Sequence, residues 1–245
     1  MIIIIPMAGL SKRFLDEGFT LPKYMLYAEK KSLFRIAVSS FKSQFDTAKF
    51  VFIYRNIYDT KEFISAECSI MGIKDFKLIE LNNTTRGQAE TVKIGIDLLS
   101  EQGIEDEIII FNADTAKRSF NMPDFIQKTD GFLEVFEGEG DHWSFVLPME
   151  GNKNLVKLTT EKVRISSLCS NGLYHFKKPY FFLEAYEASF CNDDFNGEYY
   201  IAPMYNTLIK TGKSIHFSMI PITDLSFFGT PLEYRNYLKS ELCSL

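Results

Sequence analysis

Apolar and polar positions fall into alternating blocks along the first half of the chain. Ile2–Met7 opens on four consecutive isoleucines, the pattern of a strand buried on both faces. Within Leu33–Phe45, Phe34, Val38, Phe41 and Phe45 share one helical face. Phe50–Tyr54 predicts a second strand, and Asp59 is placed to cap a helix running to about Met71. Phe76–Leu81 predicts a third strand. Ala89, Val92, Ile96 and Leu99 then trace a helical stripe that ends near Gly103. Glu107–Phe111 predicts a fourth buried strand, opening into Asn112-Ala113-Asp114-Thr115. This β-α order predicts an α/β fold, with a doubly wound, mixed and mostly parallel sheet flanked by helices.

The second half changes texture. Phe132–Phe136, Trp143–Pro148, Leu155–Thr159, Lys162–Ile165 and Leu173–Phe176 read as short strands. Turn residues such as Glu137-Gly138-Glu139-Gly140 and Gly151-Asn152 separate them. Helices are expected over Pro179–Phe190 and Tyr199–Thr211, a strand over Ser214–Ile220, and a last helix from near Pro231. No internal repeat or composition break appears. One domain over 1–245 is expected, its α/β half spanning 1–116 and a smaller β-rich part falling within 117–245.

Charge narrows the partners. Lys and Arg total 27 against 32 Asp and Glu, a formal charge of −5. Such a chain has no basic footprint for non-specific nucleic-acid binding and no attraction to anionic membranes. Four cysteines (Cys68, Cys169, Cys191, Cys243) and three histidines form no compact cluster, which argues against structural zinc. Free thiols suit a reducing cytoplasm. No basic residues precede the isoleucine run, and it is too short to span a bilayer. Phe227, Phe228, Tyr234 and Tyr237 read as core; a dimer contact is the other reading, so a homo-oligomer stays open.

Ligands of open α/β sheets bind beyond the carboxyl ends of the strands. After the first strand comes Met7-Ala8-Gly9-Leu10-Ser11-Lys12-Arg13. Small residues let the backbone approach a ligand, successive N–H groups can cradle phosphate oxygens, and Arg13 adds a planar donor fork. Lys23 follows Pro22. Neither a Walker nor a dinucleotide-binding glycine pattern occurs. Taken alone, the loop fits better a small-residue turn with solvated cations. Arg86-Gly87-Gln88 lies between a strand and a helix, where Gln88 could read a base edge. An ordinary helix entry is the equal alternative. Asp114 ends a strongly apolar strand, two residues after Asn112. A carboxylate there is costly unless it binds a metal or donors, and Mg²⁺ commonly takes one or two carboxylates plus substrate phosphates. Its bland reading is a turn aspartate. Glu161-Lys162, then Asn171-Gly172-Leu173-Tyr174-His175-Phe176, then Glu198-Tyr199 complete the set. Lys162 suits a second phosphate and Glu198 a polyhydroxylated ligand. Alternatively, Lys162 is a solvated strand lysine and Glu198 merely complements a helix dipole.

In this order the segments resemble the sugar-phosphate nucleotidyltransferase superfamily, whose nucleotide-diphospho-sugar transferase fold is shared with GT-A enzymes. Gly9-Leu10-Ser11-Lys12-Arg13 is similar to its G-x-G-x-R loop, and Pro22-Lys23 to its Pro-Lys pair. Gly87-Gln88-Ala89, Asp114, Glu161-Lys162, Gly172-Leu173-Tyr174-His175-Phe176 and Gly229-Thr230-Pro231 match later motifs. Pro6-Met7-Ala8-Gly9-Leu10-Ser11 is most like members of capsule or surface-polysaccharide synthesis. The resemblance implies that a nucleoside triphosphate and a phosphorylated sugar or related metabolite give a nucleotide-diphospho compound and pyrophosphate. It implies catalytic roles for Arg13, Lys23 and Asp114, with Mg²⁺ on Asp114. Nucleotide binding falls to Met7, Ala8, Gly9, Leu10, Ser11, Arg86, Gly87, Gln88 and Asn112, and to the half spanning 1–116. Acceptor binding falls to Glu161, Lys162, Asn171, Gly172, Glu198 and Tyr199, and to 117–245. Two departures stand out. Ser11 replaces the second glycine, acceptable with ordinary backbone torsions. Phe227 replaces an aspartate that is a second metal ligand in many members; Asp224 is the nearest acid, and Asp193 and Asp194 are further candidates. The competing readings are a cytidylyltransferase for a non-sugar phosphate such as phosphocholine or a phospho-amino acid, a GT-A glycosyltransferase, and a non-catalytic sensor of nucleotides or sugar phosphates.

Overall fold

The structure is a computed structural model that describes residues 1–103, 105–152, 154–190 and 197–240. Its first half runs β1 (Ile2–Pro6), α1 (Lys12–Asp16), β2 (Tyr27–Ala28), β3 (Lys31–Ser32), α2 (Leu33–Val38), β4 (Lys49–Tyr54), α3 (Thr60–Met71), β5 (Phe76–Glu80), α4 (Gln88–Ser100) and β6 (Ile108–Phe111). Then follow β7 (Thr115–Lys117), β8 (Gly131–Glu137), β9 (Ser144–Pro148), β10 (Val156–Glu161) and β11 (Leu168–Phe176). The chain closes with α5 (Pro179–Phe190), α6 (Tyr205–Lys210), β12 (Ile215–Met219), β13 (Leu225–Phe227) and α7 (Pro231–Lys239). It divides into two compact units, and each draws on both halves of the sequence. The first is Met1–Ile4, Thr85–Phe111 and Met122–Ile222; the second is Ile5–Thr84, Asn112–Asn121 and Thr223–Leu245.

In the first unit the strand order is β10-β9-β11-β6-β1, with β8 added on β11 and β12 on β8. β1 and β6 run parallel, Ile2 opposite Ile108 and Ile4 opposite Ile110. All four residues of β6 are completely buried, which is why its pattern is apolar throughout rather than alternating. β11 runs antiparallel to β6 and shifts register against β8 between Ser170 and Tyr174. Gly172, at φ 87, supplies the left-handed backbone of that bulge.

In the second unit the end of β1 leads through β4 to the parallel β5, and the Met7 N–H donates to the Ile53 carbonyl at 2.7 Å. Phe14, Leu33, Ala37, Ala116, Phe228, Tyr234 and Tyr237 share one apolar cluster. α7 starts on a capping box, Thr230 accepting from the Glu233 N–H while Glu233 accepts from the Thr230 N–H. The α/β class and the mixed, mostly parallel sheet flanked by helices are as the sequence predicts.

Several local expectations change. The helix over Leu33–Phe45 turns 3-10 after Val38 and kinks at Phe41 (φ −106, ψ 25), whose buried ring packs 5.0 Å from Phe120. Asp59 stands at the start of α3, but in a left-handed conformation and with no side-chain cap hydrogen bond. Lys162–Ile165 is a turn rather than a strand. The helix expected from Tyr199 begins only after a short 3-10 turn over Ala202–Met204. The ribbon of β7 and β13 was not predicted. Cys68 and Cys169 are free and buried; Cys191 and Cys243 lie outside the described residues.

Candidate active site

The second unit takes up the chain again at Asn112, directly after β6, and Asp114 stands just before β7. Asp114 is fixed from three sides. Its carbonyl accepts from the Phe228 N–H at 3.0 Å. Its neighbour Thr115 pairs with Phe227 in the β7–β13 ladder. Its carboxylate Oδ2 takes a 2.5 Å contact from the Lys23 ammonium, with both side chains about three-quarters buried (25% and 23% exposed). A side chain at Gly229 would come to 3.0 Å of the same oxygen, so glycine keeps that approach open.

The loop after β1 reaches Lys23 from the other direction. Ser11 accepts the Lys23 backbone N–H on its hydroxyl at 3.2 Å. Its carbonyl starts α1, accepting from Phe14 and Leu15. Ser11 does not have the ordinary torsions expected of it: φ 52 and ψ 30 place it in the left-handed region, where glycine sits at no cost. Met7 and Ala8 are buried, while Gly9 and Leu10 are exposed. A Cβ built on Gly9 meets no atom within 4 Å, so nothing inside the protein requires glycine there. Arg13 is exposed, and among the described residues its guanidinium has no hydrogen-bond or ion-pair partner.

In the first unit, Gly87 stands at the entry to α4 with φ 152. A Cβ there would lie 2.6 Å from both the N and the O of Tyr199. The backbones are laced together: the Tyr199 N–H donates to the Arg86 carbonyl at 2.9 Å, and the Ala89 N–H donates to the Tyr199 carbonyl at 2.9 Å. The Arg86 guanidinium lies 4.4 Å from the Tyr199 ring centre, and Gln88 is the first residue of α4. Tyr199 is itself buried, stacked on Phe190 at 4.1 Å. It anchors the loop rather than offering its ring to a ligand.

The Glu161-Lys162 pair ends β10 in the same unit. Glu161 faces Ser144 across the β10–β9 ladder and accepts its hydroxyl hydrogen. Burial pushes the Glu161 carboxyl up, helped by Glu198 and opposed by the Ser144 hydrogen bond and by Lys162. Lys162 takes a left-handed turn (φ 55), its N–H donating to the Trp143 carbonyl at 2.9 Å. Its ammonium donates to the Tyr200 hydroxyl, which in turn donates to Glu198. Glu161, Lys162 and Glu198 are thus brought together, joined by Ser144 and Tyr200, which the sequence reading missed. Nothing in the sequence singles out Tyr200: it stands beside the buried Tyr199 in a segment that is neither helix nor strand. Asn171 is not part of this group. It is buried, with Nδ2 on Glu134 at 2.5 Å and Oδ1 accepting the Leu173 N–H at 3.1 Å, so it braces the bulge at Gly172.

Among the described residues no group of three or more His, Cys, Asp or Glu side chains is placed to hold a metal ion. Asp224 pairs with Arg118 at 3.5 Å, at the far end of the β7–β13 ribbon. Three ladder pairs lie between it and Asp114, a separation of about 13 Å along the strand, so it is not a partner ligand there. Asp193 and Asp194 lie outside the described residues. What remains is one accessible carboxylate, Asp114, braced by a lysine. That fits a Mg²⁺ ion whose other ligands are water and substrate phosphates, and does not fit a cage built by the protein alone.

Comparison with solved structures adds a close relative. A nucleoside-diphosphate-sugar pyrophosphorylase from Vibrio cholerae RC9 superposes with a TM-score of 0.93 at 45% identity, covering 97% of this chain and 100% of its own. More distant chains share the fold. A UDP-glucose pyrophosphorylase complexed with UDP-glucose matches at TM-score 0.76 and 16% identity, over 100% of this chain and 99% of its own. An inositol-1-phosphate CTP transferase from T. maritima matches at 0.72 and 14%, over 99% and 94%. No protein-family model matches the chain, and no curated protein does so either.

Proposed function

The chain belongs to the sugar-phosphate nucleotidyltransferase superfamily, and from that premise we propose that it joins a nucleoside triphosphate to a phosphorylated sugar or related metabolite, releasing pyrophosphate. The observation that carries this reading is the Lys23–Asp114 pair at the end of a fully buried strand. It accompanies an exposed Arg13, without a partner among the described residues, and a Gly9 whose missing side chain leaves open space.

In the proposed reaction an oxygen of the acceptor phosphate forms a bond to the α-phosphorus as the bond to the departing pyrophosphate breaks. The acceptor phosphate is already ionised near neutral pH, so catalysis rests on positioning and charge neutralisation. Lys23 neutralises charge growing on the α-phosphate. Arg13 grips the triphosphate and the leaving pyrophosphate. The backbone from Met7 to Ser11, with Arg86, Gly87, Gln88 and Asn112, receives the nucleotide. Lys162 holds the acceptor phosphate and Glu161 and Glu198 its hydroxyls or amines, with Gly172 shaping the strand behind them. Asp114 is the residue that would hold Mg²⁺, which supplies further neutralisation of phosphate charge.

A cytoplasmic place in capsule or surface-polysaccharide synthesis goes with this reading, supported by the loop resemblance alone. Among the described residues no helix is long and apolar enough to cross a membrane. The test is a matrix of nucleoside triphosphates against phosphorylated sugars, polyols, choline and amino acids, scored by Mg²⁺-dependent pyrophosphate release. At least one pair is expected to react, and Lys23→Ala is expected to slow it by about 100-fold or more. Wild-type turnover in that variant would overturn the assignment. Phe227, in place of an acid, favours a second reading, a binding-only sensor. A nucleoside triphosphate that raises Tm while no pair releases pyrophosphate would bring it forward.

A further inference from the structure

The acceptor-side cluster contains an arrangement that the proposed roles do not use. Lys162 and Glu198 carry opposite charges on neighbouring segments, yet they are joined through a third group. The Lys162 ammonium donates to the Tyr200 phenol oxygen, and the phenol hydrogen goes to Glu198. A phenol has one hydrogen to give and lone pairs to accept with, so it serves both neighbours at once.

We propose that the Tyr200 hydroxyl is a spacer that stops Lys162 and Glu198 from closing into a direct ion pair, leaving the ammonium free to meet an acceptor phosphate. This rests on the reading of Lys162 as a phosphate-binding residue. Two consecutive hydrogen bonds hold the ammonium nitrogen and the carboxylate oxygen at most about 5 Å apart. Remove the phenol oxygen and that gap is bridged by a small rotation of either exposed side chain, to the roughly 2.8 Å of a charge-assisted contact. The charge offered to a phosphate would then be neutralised by the protein itself.

The surroundings are built to hold the three groups in register. Lys162 leaves β10 in a left-handed conformation fixed by its N–H on the Trp143 carbonyl, and its ammonium lies 4.5 Å from the Tyr200 ring centre. A left-handed lysine persists only where neighbours over-determine it. Glu161, the nearer acid in sequence, is occupied by the Ser144 hydroxyl. On the other side, the segment carrying Glu198 and Tyr200 is anchored by Tyr199, through its two backbone bonds to Arg86 and Ala89 and its stack on Phe190. Tyr200 is therefore a positioning residue acting through Lys162 and Glu198. When a phosphate arrives, the ammonium can turn from the phenol to it, while the phenol keeps Glu198 aimed at the rest of the acceptor.

The test compares wild type, Tyr200→Phe, Glu198→Gln and the double variant Tyr200→Phe/Glu198→Gln. One readout is the unliganded crystal structure of Tyr200→Phe, where Lys162 and Glu198 are expected in direct contact. The other is calorimetric affinity for inorganic phosphate at fixed ionic strength. It is expected to fall by about 10-fold in Tyr200→Phe, as for one lost charge-assisted contact. In the double variant it is expected to recover substantially, because a neutral amide no longer captures the ammonium. With Glu198→Gln alone as the reference for the charge removed, a merely structural tyrosine predicts that the double variant gains no more over Tyr200→Phe than Glu198→Gln gains over wild type. The proposal is overturned if Lys162 and Glu198 stay apart in Tyr200→Phe. Unchanged phosphate affinity in that variant, no gain in the double variant beyond that of Glu198→Gln over wild type, or a wild type that binds no phosphate overturns it as well. None of these measurements needs turnover. A wild type that releases no pyrophosphate with any substrate pair refutes the reaction instead, so the two failures are told apart.

Discussion

A single residue such as Ser11 shows how a departure from a motif can be compensated. Its left-handed torsions cost about 1–2 kcal/mol for a residue with a side chain. Its hydroxyl returns part of that by accepting the Lys23 N–H, a contact worth about 1 kcal/mol. Ser11→Gly removes both terms and is expected to change stability by less than about 1 kcal/mol. Ser11→Ala keeps the strain and loses the acceptor, so it is expected to be the less stable of the two by about 1 kcal/mol. Urea denaturation of both variants checks the order, and Ser11→Ala at least as stable as Ser11→Gly would refute it. The sequence named Ser11, Lys23 and Asp114 as candidates but carried no sign of the torsion, because residue type alone does not report φ. The same limit explains Tyr199 and Tyr200. Both are aromatic and adjacent, and only the course of the backbone decides which one is buried.

At the scale of elements, long periodic segments were legible and short ones were not. α3, α4 and α5 repeat their apolar positions over 12 or 13 residues and lie close to their expected bounds. β7 and β13 have three residues each, too few to show a period, and so the ribbon that braces Asp114 was invisible. The turn at Lys162 was hidden for another reason. Val163 and Ile165 alternate with charged residues as in a strand, while the left-handed step at Lys162 breaks the pairing. Gly87 offers an element-level prediction. Its φ and the Tyr199 backbone 2.6 Å from any added Cβ oppose Gly87→Ala twice over. The variant is expected to lose about 2 kcal/mol or more of stability, because the entry to α4 and the Tyr199 segment must part. A Gly87→Ala midpoint equal to wild type in denaturant would show that this seam yields without cost.

For the whole molecule, the fold class was readable because fully apolar β1 and β6 announce a buried parallel pair, whereas the division into units was not, since each unit is stitched from separate stretches of chain. A pH dependence follows from one buried residue beside that sheet core. His175 on β11 is completely buried and lies 3.1 Å from the Glu107 carboxylate through Nε2, while Nδ1 has no hydrogen-bond partner among the described residues. A neutral ring with its proton on Nε2 satisfies both facts. Burial lowers the His175 pKa from 6.5, opposed by Glu107, and the hydrogen bond from His175 lowers Glu107 from 4.5, with Lys177 favouring the same direction at both groups. Both folded pKa values lie below their unfolded ones, so the unfolded chain takes up protons first as pH falls. Stability is therefore expected to be level above about pH 6.5 and to decline below it, by at most about 1.4 kcal/mol per pH unit for each proton. His175→Phe, which keeps a ring against Phe132, should lessen the decline between pH 6.5 and 5, the rest coming from His216, whose pKa burial also lowers. Melting curves across that range test this, and an equal slope in the two proteins would exonerate His175.

The β7–β13 ladder has a consequence for the protein's birth as well as its chemistry. Asp114 takes its backbone partner from Phe228 and its neighbouring strand from residues 225–227, which are translated long after it. A nascent chain still waiting for those residues can form β1 and β6, yet it presents the aspartate on an unfinished loop. The clasp on Asp114 therefore waits for residues 225–228, and a message cut short upstream of Leu225 yields a product that has the isoleucine strands in its sequence and lacks the clasp.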